Sequence, residues 1–325
     1  MGRIASEPVP GEGGRLTLER NMIREGDIVF RKSYGQDVMF QVACVNCEGA
    51  GEPKVHLKGI TVRLIADAPL SDLERADDKA IIEGRRQSVR ESAELVRAAR
   101  LRRIDEEQAR QKRERRGTRG TRTRTADDRF DLPGKVLHLD GDPDYLRDCM
   151  RYYKDLGVPA VGKHVEPEAQ ADAVGQLLAE ISPDVLVLTG HDALKRKSSD
   201  RSALASYWNS QHYVNAVRRA RAYENDKDGL VIVAGACQSF YEALMEAGAN
   251  FASSPQRVLI HCMDPVLIAE RIVNTPMDEV VSAVDAVDNT VTKRPGMGGV
   301  HTMGRMRSGI PRTSLGVLGS GRTSP

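Results

Sequence analysis

The chain has 325 residues, with 48 Lys and Arg against 46 Asp and Glu and a formal net charge of +2, so overall charge names no partner. That length suits one large and one small domain; no apolar run approaches a bilayer span, and no apolar block follows a basic start, which predicts a protein that begins life in a cytosol. Five cysteines, Cys44, Cys47, Cys149, Cys237 and Cys262, are too few and too scattered for a disulfide framework, and reduced thiols are the expectation.

Residues 1 to 20 are rich in Gly, Pro and charge and read as a disordered tail. Residues 21–75 change character. Gly26-Asp-Ile-Val-Phe-Arg31, a Ser33-Tyr-Gly-Gln36 turn, Val38 to Cys44 and Val55 to Ile65 are short strands with glycine punctuation, which predicts a small SH3-like β-barrel. Residues 76–130 read as a helical segment and then an Arg-rich flexible linker. From Arg110 to Arg124 there is almost nothing to bury, so that stretch is expected to be solvated and open to proteases. A nucleic-acid-binding arm is the other reading of the same charges.

Over 131–294, strands alternate with helices, the pattern of a parallel sheet covered on both faces. Lys135 to Leu139 is a strand. Asp142 caps the next helix, with Pro143 in its first turn. Strand Val158 to Val165, helix Pro167 to Ile181 and a strand ending at His191 follow. After a helix over Tyr207 to Tyr223 come the strand ending at Cys237, a helix over Phe240 to Ala247, a last strand Arg257 to His261 and a helix Pro265 to Val273. Residues 295–325 are Gly, Ser, Thr and Arg with little to bury and read as a tail.

Two of these strands share a plan. Asp184-Val-Leu-Val-Leu-Thr-Gly-His191-Asp192 and Gly229-Leu-Val-Ile-Val-Ala-Gly-Ala-Cys237-Gln238 each end in glycine and one reactive side chain. In an open α/β sheet, parallel strands deliver such residues to the same carboxyl edge. An imidazole beside a thiol raises the thiolate fraction and returns a proton to the leaving group, so the pair predicts a cysteine peptidase. Small neighbours around Cys237 permit a tight turn, and the helix expected after it would supply N–H groups for an oxyanion. The alternative for Cys237 is a small buried hydrophobe. The separation, 237 − 191 = 46, is close to the roughly 50 residues of caspase-type spacing.

Arg31-Lys-Ser-Tyr-Gly35, Val62-Arg-Leu-Ile-Ala-Asp-Ala-Pro-Leu70, Val136-Leu-His-Leu-Asp-Gly-Asp-Pro143, Leu188-Thr-Gly-His-Asp192, Ala234-Gly-Ala-Cys-Gln-Ser239 and Glu246-Ala-Gly-Ala-Asn-Phe-Ala-Ser-Ser-Pro255 carry a closer likeness. In these stretches the chain resembles the YabG family of sporulation-specific cysteine peptidases, of the caspase-like clan. The resemblance implies a caspase-like α/β peptidase domain with the catalytic pair on Cys237 and His191. It further implies protein substrates from the spore coat and germination apparatus, cleavage after basic residues, self-processing, and work in the mother cell in association with the coat. Gly190 precedes His191 and Asp192 follows it, where caspase-like enzymes have Gly after the His, which leaves open which N–H joins that of Cys237 in the oxyanion hole. Gly190 and Gln238 are carried as oxyanion or substrate-binding positions. Asp140, Asp142 and Asp192 are carried as carboxylates for a substrate Arg, with a helix cap as the equal alternative for Asp142.

Other features point elsewhere. Cys44-x-x-Cys47 with His56 hints at zinc but lacks a fourth ligand, and no phosphate-binding loop is present, so neither a metal nor an organic cofactor is expected. A strand-turn-helix Cys followed by His261 and Asp264 also suits a class I amidotransferase-like hydrolase, although Ser239 stands where those enzymes use Gly. A third reading is a non-enzymatic scaffold for coat proteins or RNA. Protein substrates are the expected partners, with neither membrane insertion nor nucleic acid.

Overall fold

The computed structural model describes residues 23–36, 38–46, 54–60, 62–117, 130–195 and 200–310, and the chain divides into two compact units between Gln87 and Ser88. The first unit holds β1 (Ile28–Arg31), β2 (Phe40–Asn46), β3 (Lys54–Gly59), β4 (Ile65–Pro69) and β5 (Leu73–Arg75). They form one antiparallel sheet in the order β4-β3-β2-β1-β5. Alternate residues of β3 point inward, and Val29, Phe40, Val42, Val55, Leu57, Ala68 and Leu73 make its core. The run expected as one strand from Val55 to Ile65 is two strands. The Gly59 N–H reaches back to the Leu64 carbonyl at 2.7 Å, closing a turn that a Cβ at Gly59 would block against the Val62 carbonyl.

Helix α1 (Asp78–Gly117) runs well into the arginine-rich stretch expected to be extended. The remainder of that stretch, from residue 118, lies outside the described residues, which resume at 130. The part of α1 from Ser88 onward packs Leu95, Val96 and Ala99 on the second unit's core. Glu270 is fully buried and takes Arg102 Nη2 at 2.6 Å and Arg103 Nε at 3.4 Å, while Arg271 reaches Glu106 at 2.6 Å. Burial pushes the Glu270 carboxyl up, and the arginines oppose it. Charge pairing as well as apolar burial therefore holds this helix, which is why its hydrophobic periodicity is weak in the sequence.

The rest of the second unit is β6 (Phe130–Leu132), β7 (Val136–Asp140), α2 (Pro143–Leu156), β8 (Ala160–His164), α3 (Pro167–Ile181), β9 (Val185–Thr189), α4 (Ser210–Tyr223), β10 (Val231–Ala234), α5 (Tyr241–Glu246), β11 (Phe251–Ser253), α6 (Met263–Val273), β12 (Val280–Val281), α7 (Ala283–Asp288), α8 (Lys293–Gly296), β13 (Met297–Gly299), β14 (Thr302–Met303) and β15 (Arg307–Gly309). The central sheet has the order β13-β11-β10-β9-β7-β8, parallel except for β13. Val136, Val185, Val187, Val231 and Val233 face α2 and α6, whereas Leu137, Leu139, Leu186, Leu188 and Ile232 face α3 and α4. This is the doubly covered parallel sheet that the alternation predicts.

Two expectations are corrected. Arg257 to His261 is not a strand: Ser254 and Arg257 turn into the left-handed region at φ +65° and +57°, and the sheet position beside β10 belongs to β11. Residues after 295 are not a tail throughout, because β13 pairs with β11, β14 with β12 and β15 with β6. Their glycines serve close packing; a Cβ at Gly298 would lie 2.8 Å from the Tyr241 hydroxyl oxygen. Asp184, ahead of β9, takes Arg305 Nη2 at 3.1 Å, Arg307 Nη2 at 2.8 Å and the Lys135 N–H at 2.8 Å. Burial pushes its carboxyl up, but these donors outweigh that and hold it below the ordinary carboxylate range. Ending the chain at Gly296 should therefore expose an edge of the main sheet and strand Asp184 without its cations. The expected outcome is loss of the cooperative thermal transition in circular dichroism; a truncated protein melting as sharply as the full chain would contradict it.

Candidate active site

Strand order in the central sheet reverses between β7 and β9, because β8 lies on one side of β7 and β9 on the other. At such a switch point the connections leave in opposite directions and open a crevice at the carboxyl ends of the strands. Gly141 and Asp142 leave β7 there, and Gly190, His191 and Asp192 leave β9. Ala234 of β10 pairs with Leu188 of β9, and three more residues along each chain come His191 and Cys237. Both residues thus leave the same carboxyl edge of neighbouring strands, and Asp192 and Ser239, the residues one and two places beyond them, are hydrogen-bonded at 2.9 Å.

His191 Nε2 lies 2.8 Å from Asp142 Oδ2. The carboxylate can only accept, so Nε2 carries the proton. Asp142 also caps α2, its Oδ1 accepting the N–H groups of Asp144 at 2.9 Å and Tyr145 at 3.1 Å. Cap and imidazole contact are thus two oxygens of one side chain. Asn209 Nδ2 and the Tyr213 hydroxyl donate to the His191 carbonyl at 2.9 and 3.2 Å, and the Tyr145 ring lies 5.6 Å from the imidazole, centroid to centroid. Nδ1 of His191 is buried with no hydrogen-bond partner among the described residues. Gly190 makes this approach possible, since a Cβ there would sit 2.5 Å from the Tyr213 hydroxyl oxygen.

Beneath this pair runs a buried polar chain. Asp140 Oδ1 accepts the Asp142 N–H at 3.0 Å, and its Oδ2 accepts the Thr189 hydroxyl at 3.0 Å. His138 Nε2 meets Thr189 Oγ1 at 2.8 Å and its Nδ1 meets the Tyr153 hydroxyl at 3.2 Å. Sequence reasoning passed over His138, Thr189 and Tyr153. The available signal was a histidine in the middle of an apolar strand. Ligand atoms of His138, Asp140 and Cys149 lie within 4.8 Å of one another. Both ring nitrogens of His138 are already hydrogen-bonded, so the cluster is accounted for as a packed polar network.

Cys237 is fully buried. The Ile260 N–H points at its Sγ at 3.2 Å, and the Ile260 carbonyl lies 3.7 Å from the same sulfur. Gln238 adopts φ +55°, and its N–H is spent on the Val258 carbonyl and Ser254 Oγ, both at 3.1 Å. Its Oε1 accepts the Leu194 N–H at 3.4 Å. Asp192 fastens the two loops together: Oδ2 accepts the hydroxyls of Ser239 at 2.9 Å and Ser210 at 2.5 Å, and Oδ1 the N–H groups of Asn209 and Ala193 at 2.8 and 2.9 Å. Burial pushes the Asp192 carboxyl up against the pull of those four donors.

The expected site residues therefore sort by position. His191, Asp142, Gly190, Asp192, Gln238 and Cys237 gather at one rim. Asp140 and Asp192 are buried with their oxygens engaged, so neither stands where a substrate guanidinium would reach it. The helix expected directly after Cys237 begins at Tyr241 and has six residues, which leaves no helix N-terminus at the sulfur. His261 Nδ1 accepts the Met263 N–H at 3.1 Å, and Asp264 holds the His261 backbone N–H at 2.9 Å. Of the zinc hint, Cys47 lies outside the described residues, and His56 is paired with Asp67 at 2.6 Å.

A carboxylate and an imidazole at the switch point of a covered parallel sheet, with a thiol after the adjoining strand, give an α/β protein holding parts that a peptidase site uses. Residues 24–311 match the family described as YabG peptidase U57. Over 292 residues the chain is 41% identical to the sporulation-specific protease YabG of Bacillus subtilis (strain 168), covering 89% of this chain and 98% of that protein. The chain belongs to the YabG peptidase family and is a protease of sporulation. No solved structure matches it. No helix among the described residues is long and apolar enough to cross a membrane.

The raised Asp192 carboxyl has a consequence for pH. Folding tightens its hold on a proton, so this residue's contribution to stability is lost as pH rises through its folded value and grows as pH falls through that value towards the ordinary 3.8. Asp192→Asn cannot titrate. The stability of wild type relative to this variant should increase in urea unfolding as pH is lowered from neutrality towards the ordinary carboxylate value of 3.8. A difference that does not vary with pH would refute the assignment.

Proposed function

We propose that the chain is a cysteine endopeptidase in which Cys237 is the nucleophile, His191 the general acid and base, and Asp142 the group that orients His191. The observation that carries this is the fastening of His191 Nε2 to Asp142, which leaves a buried, unpartnered Nδ1 on a ring whose loop is tied by Asp192 to the loop of Cys237. Nδ1 takes the thiol proton, and the sulfur attacks the scissile carbonyl. Nδ1 then returns the proton to the leaving amine. It next draws a proton from water, which attacks the thioester and releases the acid and the thiol. Asp142 fixes the tautomer and steadies the imidazolium, and the Cys237 N–H is assigned to the developing oxyanion.

The wider architecture is consistent with this reading. The five-stranded antiparallel order of the first unit suits an SH3-like barrel, which we assign to substrate or partner binding. The parallel order with an antiparallel edge strand suits a caspase-like peptidase domain. Proteins of the spore coat and germination apparatus, met in the mother cell and cut after basic residues, are the substrates we infer from the sporulation-specific relative and the family resemblance. The arginines between Arg113 and Arg124 are the sites we assign to self-processing.

A second reading has one observation in its favour: His261 directly follows Ile260, whose backbone holds the sulfur. Single substitutions separate the two. His191→Ala and Cys237→Ala should each lower cleavage of denatured protein substrate by about a thousandfold or more, and His261→Ala by no more than a few-fold. The reverse order would install His261 as the base. Asp142→Asn keeps an oxygen for the cap but offers the imidazole a donor, so kcat should fall by roughly 100- to 10,000-fold with a small change in melting temperature. Wild-type activity in that variant would remove Asp142 from the mechanism. N-terminal sequencing of purified wild type should find chains beginning within 114–125 that are missing from Cys237→Ala; identical chains in both would rule out self-processing.

A further inference from the structure

We propose that Trp208 is a substrate-binding residue, a fixed platform on which an apolar or aromatic side chain of the bound polypeptide stacks beside the scissile bond. The inference rests on the peptidase reading and adds a determinant of specificity to it. Trp208 is the sole tryptophan of the chain, and it is 64% exposed. Exposed hydrophobic residues scattered singly are ordinary and say nothing by themselves. What distinguishes this one is how tightly its backbone is tied to the catalytic loop.

The Trp208 N–H donates to the Ala193 carbonyl at 3.0 Å. On one side, Tyr207 is buried, bridges to Leu194, and stacks on Phe240 with centroids 5.1 Å apart. On the other, Asn209 donates its backbone N–H to Asp192 and its side-chain amide to the carbonyl of His191. Leu194 in turn binds Gln238, the residue after Cys237. The segment carrying the indole is thus pinned to both the His191 and the Cys237 loops while the ring itself faces water. Lys195 Nζ lies 5.4 Å from the ring centroid.

A large apolar ring on an immobile backbone loses little conformational entropy on binding and offers about 150 to 250 Å² of surface, the combination found in binding hot spots. Its backbone is hydrogen-bonded to the loop that carries the proposed general base, and on that ground its surface is assigned to an extended substrate. Chemistry at Cys237 would not depend on it. The residue should act on KM, and most strongly for substrates with a bulky apolar residue close to the cut.

The test uses two peptides that wild type cleaves, differing only in Phe or Ala next to the scissile bond and free of Trp and Tyr. In the full chain, Trp208→Ala should raise KM for the Phe peptide about tenfold with kcat within about twofold, and change the Ala peptide little; Trp208→Phe should recover most of the loss. Because the protein has a single tryptophan, the emission of inactive Cys237→Ala should shift to the blue as the Phe peptide is added. An unchanged KM ratio, or bound peptide by anisotropy with unmoved emission, overturns the proposal. So does a change in elution volume of Trp208→Ala on size exclusion, which would assign the indole to a second copy of the chain. If Cys237→Ala cleaves as well as wild type, the peptidase reading fails, while a blue shift in the same protein still supports the platform.

Discussion

The hydrogen bond from His191 to Asp142 joins three parts of the structure. Asp142 leaves β7 and begins α2; His191 leaves β9. Their strands are neighbours across the line where the sheet changes direction. A carboxylate whose other oxygen is held by two amide groups at a helix start cannot swing, and so the imidazole it holds cannot swing either. The buried run of Asp140, Thr189, His138 and Tyr153 stiffens the same support from below. Aim is therefore supplied by secondary structure and core polar contacts, with the exposed surface contributing little.

A second carboxylate ties the two reactive loops to each other. Asp192 takes four donors from three segments, and Glu270 performs a comparable service for α1 with arginines. Each charge lost its water on folding, and the geometry around it restores the lost contacts one by one. Interiors built this way gain little stability over apolar ones but tolerate few alternative arrangements.

Much of the α/β unit was legible because its signals are local. Asp142 and Pro143 start α2, Pro167 starts α3, and four short runs rich in β-branched and aliphatic residues, which form β7 to β10, alternate with helical periods. The misreadings share a cause. Arg257 to Ile260 has strand composition, yet left-handed turns at Ser254 and Arg257 and the competing pairing of β11 override it. The glycines after Pro295 look disordered in composition, but they exist to let Tyr241 and Phe251 approach. The stretch from Arg110 onward looks solvated and extended, yet α1 runs on through it to Gly117 and Arg110 pairs with Asp131 at 2.7 Å. At the site, Cys237 and His191 stood out through their matching strand ends. Asp142 did not, because a helix cap explains one oxygen fully and the sequence carries no sign of what the other one touches. Asp192 was visible as an acid, while its inward direction depends on loops that only the tertiary fold sets.

The sulfur of Cys237 lies under the peptide unit of Ile260, and the segment covering it is latched by Ser254 Oγ on the Val258 carbonyl at 2.7 Å. An electrophile in solution meets this atom only after that peptide unit lifts. Alkylation of the folded protein is then a two-stage event, and its rate climbs with reagent concentration until it levels off at the frequency of lifting. On that plateau, reagents of very different reactivity modify this sulfur at one common speed, set by the backbone and indifferent to their chemistry.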